Sequence, residues 1–245
     1  MPLIFLLTGA SSFADPGDWN PVNKIECLGS GSTGALAKVD SPEGSGLSGG
    51  GGGGGGYGFA TNQSPSFPVT VNIAAKNTVT SSTWWNSSST IWGGSGEVIQ
   101  SGNYNGANGG NFGPQGYSGG HGGNPWDYGE MGAGGGGAAG PHGIGSVGAN
   151  TNPSTPGVGG AGDGGTTPAS GQNGTQWDAS HGCGSGGIGS TFSVAAGAGG
   201  NYGAGGGSQA MSSGMAVGQG KDGLLVITYT SLPPAPKLNY AIIMS

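Results

Sequence analysis

The stretch Ser48-Gly49-Gly50-Gly51-Gly52-Gly53-Gly54-Gly55-Gly56-Tyr57 decides how the chain is read. Glycine loses more backbone freedom on folding than any other residue and offers no side chain to bury. An unbroken run of it is therefore either a flexible linker or backbone packed so closely that a Cβ would not fit. Working outward, the rest of the chain favours packing.

The 245 residues include 63 glycines, 15 prolines, five lysines, no arginine and 11 acidic residues. Average glycine usage is about 7% and average charged content about 25%, so both departures are large. Disordered chains normally stay soluble through charge, which is scarce here. The six tryptophans, seven tyrosines and six phenylalanines are also many for a linker. A net charge of −6 without arginine argues against nucleic acid, whose phosphates need clustered basic groups. No apolar run reaches the roughly 20 residues that span a bilayer, so no membrane insertion is expected. Met1-Pro-Leu-Ile-Phe-Leu-Leu7 imitates a signal peptide but lacks a basic leader, and it reads as a first strand.

In chain order, residues 3–14 form a strand that starts buried and ends at the turn Asp15-Pro16-Gly17. Lys24-Ile25-Glu26-Cys27-Leu28 alternates, with Ile25 and Cys27 on one face. Phe67, Val69, Val71 and Ile73 recur at every second residue, the pattern of a half-buried strand. Thr83-Trp84-Trp85-Asn86, Thr90-Ile91-Trp92 and 97–100 are strand-like, and Thr191-Phe192-Ser193-Val194 is a weaker candidate. Leu224-Leu-Val-Ile-Thr-Tyr229 is the strongest strand, rich in β-branched residues. The domain thus covers 1–230, with sandwich strands at about 3–28, 67–100 and 222–230 and glycine-rich insertions at 29–66 and 101–221. A proline linker and an apolar tail follow at 231–245.

Glycine in the insertions can build a lattice. A polyproline-II-type helix has three residues per turn, rises about 3.1 Å per residue and makes no internal hydrogen bonds. Side by side, such helices bond to one another where glycine lets the backbones approach. At that rise Gly49 to Gly56 spans roughly 25 Å. The expected fold is all-β: a small β-sandwich from the terminal strands with an inserted polyglycine II helix bundle and essentially no α-helix.

The chemistry-bearing motifs are weak. Gly29-Ser-Gly31-Ser-Thr-Gly34 matches the dinucleotide fingerprint but has about one turn of helix-compatible sequence before Pro42. Gly46-Leu-Ser48-Gly-Gly50 and Gly116-Tyr-Ser118-Gly-Gly120 match the nucleophile elbow without the strand-turn-helix context. His121, His142 and His181 stand alone, and His181-Gly-Cys183 lacks a second pair at zinc spacing. No catalytic residue, cofactor or metal is expected, and the chain reads as a non-enzyme. Cys27 either packs in the core or bridges to Cys183.

The aromatics carry the site expectation. Tyr104, Tyr117, Trp126, Asp127, Tyr128, Trp177 and Asp178 lie between glycine runs, rings beside amides and carboxylates. Such groups stack on sugars or fill protein pockets, or they cap the ends of the bundle. The tail residues Leu238, Tyr240, Ile242, Ile243 and Met244 either dock on a partner or neighbouring copy or pack back on the sandwich.

The order of Trp19-Asn20, the strand running from Ile25 into Gly29, the alternating strand at 67–75, Thr83-Trp84-Trp85-Asn86 and the closing strand after Asp222-Gly223 resembles the glycine-rich domain proteins of bacteriophage and prophage tail regions. The likeness covers about residues 3–230. A similar plan occurs in the glycine-rich ectodomain of anaplastic lymphoma kinase receptors and in phage tail-fibre tip adhesins. The resemblance implies a virion protein on the exterior of the particle, with other virion proteins, a homo-oligomer and a host cell-surface glycan or protein as partners. Alternatives are a purely structural decoration or connector protein, or an ice-binding or extracellular ligand-binding protein.

Overall fold

Alternation of large apolar and small polar residues sets the sandwich, and glycine sets everything between its strands. The computed structural model describes residues 1–39, 46–78, 81–99, 105–126, 131–165, 170–211 and 214–232. Its strands are β1 (Leu3–Leu6), β2 (Ser12–Phe13), β3 (Asn23–Leu28), β4 (Lys38–Val39), β5 (Gly46–Leu47), β6 (Tyr57–Thr61), β7 (Val69–Asn72), β8 (Ser82–Trp85), β9 (Ile91–Gly94), β10 (Phe112–Gly113), β11 (Gln115–Tyr117) and β12 (Leu224–Tyr229). There is no helix among the described residues.

Two antiparallel five-stranded sheets form, in the orders β1-β12-β3-β6-β11 and β10-β9-β8-β7-β2, and β4 pairs with β5 separately. The closing strand β12 is an interior strand of the first sheet, held by β1 from Leu3↔Thr228 to Leu6↔Leu225 and by β3 from Leu224↔Leu28 to Tyr229↔Asn23. Between the sheets lie Phe13, Ile25, Cys27, Val69, Val71, Ile73, Trp85, Ile91, Leu225, Ile227 and Tyr229. Period two sends the intervening residues of the first sheet outward. There Leu28, Tyr57, Leu224 and Val226 pack against Ala138, Ala139 and Cys183 of the glycine region. The first sheet is thus buried on both faces, which explains the continuous apolar run of β12.

The N-terminal segment departs from a single buried strand. β1 is an edge strand whose Leu3 is 40% exposed. At Gly9, where φ is +97°, the chain turns and crosses to the second sheet as β2. Of the strand-like stretch 97–100, residues 97–99 are not a strand, since the Glu97 amide bonds into the glycine lattice at the Asn108 carbonyl, and residue 100 lies outside the described residues. Residues 191–194 form a turn closed by Thr191 N–H donating to Val194 C=O. The short strands β10 and β11 have too little alternation to be read from sequence.

The glycine region is a bundle of extended rods bonded laterally at every third residue. Rod 49–56 shows the pattern. Gly49, Gly52 and Gly55 donate to Gln209, Gly206 and Gly203, while Ala35, Ser32 and Gly29 donate to Gly50, Gly53 and Gly56. Gly51 and Gly54 donate to Gly123 and Gly120, Gly136 and Ala139 donate to Gly52 and Gly55, Ala107 and Gly110 donate to Gly51 and Gly54, and Gly56 donates to Gly94. A threefold rod bonded to neighbours in both senses, parallel and antiparallel, is the polyglycine II arrangement expected from its geometry.

The third-residue period also explains why this run contains nothing but glycine. A Cβ on Gly52 would lie 2.1 Å from the Ser32 carbonyl oxygen, one on Gly53 2.1 Å from that of Asn108, and one on Gly54 2.0 Å from that of Gly137. Each of the three faces of the rod abuts a different neighbour. At the lattice surface only two faces are closed. In rod 144–151, Gly145 and Gly148 face inward while Ile144, Val147 and Asn150, spaced by three, are exposed.

Candidate functional site

The direction of each rod sorts the connecting turns into two groups. Rod 29–35 leaves the sandwich at β3, and rod 49–56 returns to it at β6. Following the lateral bonds from these two, the turns at 140–144, 175–182 and 201–203 lie at the sandwich end. The rod ends flanking 36–48, 98–105, 125–131, 152–156, 191–195 and 211–215 lie at the opposite, distal end.

The aromatic candidates separate accordingly. Trp126 is at the distal end, 52% exposed, with its amide donating to Thr151 Oγ1 at 3.0 Å. Thr151 is itself held by its amide bond to Asn124, so the Trp126 backbone is tied to the adjacent rod 144–151. Tyr104, Asp127 and Tyr128 lie outside the described residues, as do Leu238, Tyr240, Ile242, Ile243 and Met244. Tyr117 is on β11, an edge strand of the first sheet, paired with Tyr57. Trp177 and Asp178 are at the sandwich end.

Trp177 is part of the junction between bundle and sheet. Its Nε1–H donates to Glu26 Oε2 at 3.2 Å. Glu26 is 3% exposed and also accepts from Tyr57 Oη–H at 2.5 Å and Lys24 Nζ at 2.8 Å. Burial, together with the Glu26 carboxylate, pushes the Tyr57 hydroxyl well above its ordinary pKa, so it stays a proton donor. Asp178 closes its own turn, accepting from the Ser180 and His181 amides and from the His181 ring at Nδ1. The Ser180 amide, with the His181 ring and amide, holds the Asp178 carboxyl below its usual value. The His181 ring is in turn stacked between Phe5 of β1, at 3.7 Å, and Tyr202, at 5.5 Å. These side chains fasten the lattice to the outer face of the first sheet.

Distal apolar side chains that sequence reading passed over are Leu36, Phe192 and Val194, all exposed. Residues 191–194 carry alternating apolar residues and so imitate a strand; the only signal for a turn was the glycine on either side, at Gly189 and Gly197.

The motif matches resolve structurally. Gly29, Gly31 and Gly34 are lattice positions where a Cβ would meet the carbonyls of Gly94, Ala204 and Gly207, leaving no room for a phosphate. Ser48 is fully buried. His142 Nδ1 lies 2.6 Å from Asp163 Oδ2, and Cys183 is close to the same carboxylate. Burial first, then Asp163, push the Cys183 thiol well above its ordinary pKa, the reverse of what a nucleophile needs. Among the described residues no group of three His, Cys, Asp or Glu side chains is placed to hold a metal. A surface groove of about 340 Å³ lies beside rods 171–174 and 183–190, where Gln176 Oε1 accepts from the Cys183 amide and Asn173 Oδ1 from that of Asn201.

Cys27 and Cys183 are both free and buried, in clusters on opposite faces of the first sheet. Burial raises the pKa of both thiols. Neither thiol is expected to react with an aromatic disulfide reagent at pH 8 in the native protein, and both are expected to react in guanidinium. Rapid labelling of the native chain would contradict this packing.

Fold and site together define an all-β scaffold in which a rigid glycine lattice separates a sandwich from a set of turns. No protein-family model matches the chain, and no curated protein is similar to it.

Proposed function

We propose that this chain is a bacteriophage virion protein of the tail or tail fibre, acting as a tip that binds a host cell-surface glycan or protein through its distal turns. The observation that carries this reading is Trp126. A large half-exposed ring at a rod end, its backbone bonded to the neighbouring rod, is a preorganised anchor, which binds with little loss of side-chain freedom. Leu36, Phe192 and Val194 expose further apolar surface at the same end. The opposite end is occupied by the sandwich, through which the described chain enters at β1 and leaves after β12. The resemblance to phage glycine-rich domain proteins supports the same division of labour.

The test is binding of fluorescently labelled protein to a panel of bacterial strains. Trp126→Ala is expected to lower cell-bound protein at least about tenfold on a strain that binds, with stability within about 0.5 kcal/mol of wild type. Trp177→Ala is expected to do the opposite. It lowers stability by about 1–3 kcal/mol, because Glu26 loses a buried donor, and leaves binding per folded molecule unchanged. Wild-type binding by both Trp126→Ala and Phe192→Ala would sink the distal-turn assignment.

A further inference from the structure

The outer face of the second sheet carries a second aromatic surface, on the sandwich rather than on the distal turns. Trp84 and Trp85 are adjacent on β8, so the pleat sends them to opposite faces. Trp85 is 1% exposed and belongs to the core, whereas Trp84 is half-buried and points outward. On β9, Ile91 is buried and Trp92 points outward. Register then places Asn72, Trp84, Trp92 and Gly113 side by side across four strands. Neither Trp84 nor Trp92 belongs to a core cluster.

Trp92 lies down along the sheet because two of its neighbours on that face, Gly113 and Gly94, have no side chain. A Cβ on Gly113 would meet the indole Nε1 at 2.4 Å, and one on Gly94 would meet Cζ3 at 3.2 Å. Beside the ring is a shallow cavity of about 290 Å³ lined by Ser81, Ser82, Ser88, Trp92, Ser95 and Asn111. Ser95 is engaged with Ser30 at 2.7 Å. Among the described residues, the hydroxyls of Ser81, Ser82 and Ser88 and the Asn111 carboxamide have no hydrogen-bond partner. The Asn111 backbone is nevertheless fixed, its carbonyl accepting from Gly94 N–H at 2.8 Å. No lining residue is charged.

We infer that this surface is a binding site for a neutral saccharide, with one sugar ring seated on the Trp92 indole. A pyranose presents an apolar C–H face ringed by hydroxyls. It needs a flat aromatic surface together with uncharged donors and acceptors at its rim. The cavity supplies both, and its size is near the roughly 300 Å³ lower end of small-molecule sites, enough for one or two rings. An apolar peptide would leave the serine and asparagine groups unpaired, and an anion would find no counter-charge. The site is independent of the distal turns and stands or falls separately from them.

The probes are maltose, lactose and N,N′-diacetylchitobiose, titrated against the purified chain by saturation-transfer NMR and tryptophan fluorescence. At least one is expected to bind with a Kd of about 1 mM, the strength usual for a small polar ligand on an open surface. Trp92→Ala and Asn111→Ala are each expected to weaken it, the first about tenfold or more. Asn111→Ala changes only an exposed side chain, so it reads the site even if Trp92→Ala perturbs the sheet. Trp126→Ala is expected to bind the saccharide as wild type does, while its effect on cells is read separately. Absence of binding by all three probes, or wild-type binding by both Trp92→Ala and Asn111→Ala, would overturn the inference.

Discussion

Gly52→Ala is expected to destabilise the protein by about 3 kcal/mol or more, at or above the upper end of ordinary overpacking. The added methyl would sit 2.1 Å from the Ser32 carbonyl oxygen and 2.8 Å from its carbon. Relief would require rods 29–35 and 49–56 to separate. Both are bonded laterally, Gly52 donating to Gly206 and accepting from Gly136, and Ser32 donating to Gly53 and accepting from Gly206. A local shift therefore breaks several buried backbone hydrogen bonds, each costly to leave unmade. In a chain of this size the loss corresponds to a drop in Tm on the order of 10 °C. Gly214→Ala is the control. Its φ is +63° and nothing lies within 4 Å of the added methyl, so it should cost only about 1 kcal/mol of backbone strain. Equal melting shifts for the two variants would refute close packing of the central rod.

Glu26→Ala is expected to cost about 3–5 kcal/mol, the range for removing one member of a buried charged network. The variant leaves the fully buried Tyr57 hydroxyl and the Trp177 indole N–H without an acceptor, while Lys24, with 35% of its side chain exposed, can return to water. Glu26→Gln keeps one acceptor oxygen and should lose only about 1–2 kcal/mol. Denaturant unfolding followed by tryptophan emission distinguishes the two. If Glu26→Ala matched Glu26→Gln, the carboxylate would not be the post that fastens the 175–182 turn to the sheet.

Both expectations concern features of unequal visibility in the sequence. The central rod was legible because only backbone packed on every face requires glycine at consecutive positions. The sandwich strands were legible wherever one face is core: of the period-two set Phe67, Val69, Val71 and Ile73, the last three are buried and Phe67 is partly buried against the core. Glu26 was legible only as a polar residue between Ile25 and Cys27. Nothing nearby signals that Trp177, distant in the chain, returns to meet it.

The candidate site was less legible for the same reason. Trp126 and Trp177 have similar surroundings in the sequence, each beside an aspartate and between glycines. One is half-exposed at the distal end, and the other is bonded to a buried carboxylate. What separates them is the direction of the rod that each one follows. Strand parity hid a further pair, since Trp84 and Trp85 differ only in the face they occupy.

Composition and alternation alone therefore determined that the chain is all-β, with strands towards its two ends and a packed glycine bundle between them; that the end strands pair was decided by the sheet register. Which rod lies beside which, which turns sit at the distal end and which aromatics remain open to solvent were decided by the tertiary structure. A threefold rod of glycine offers nearly identical donors and acceptors at each third residue, so its local sequence cannot name its neighbours. Only closure of the whole lattice, with Gly49 to Gly56 at its centre, selects one arrangement.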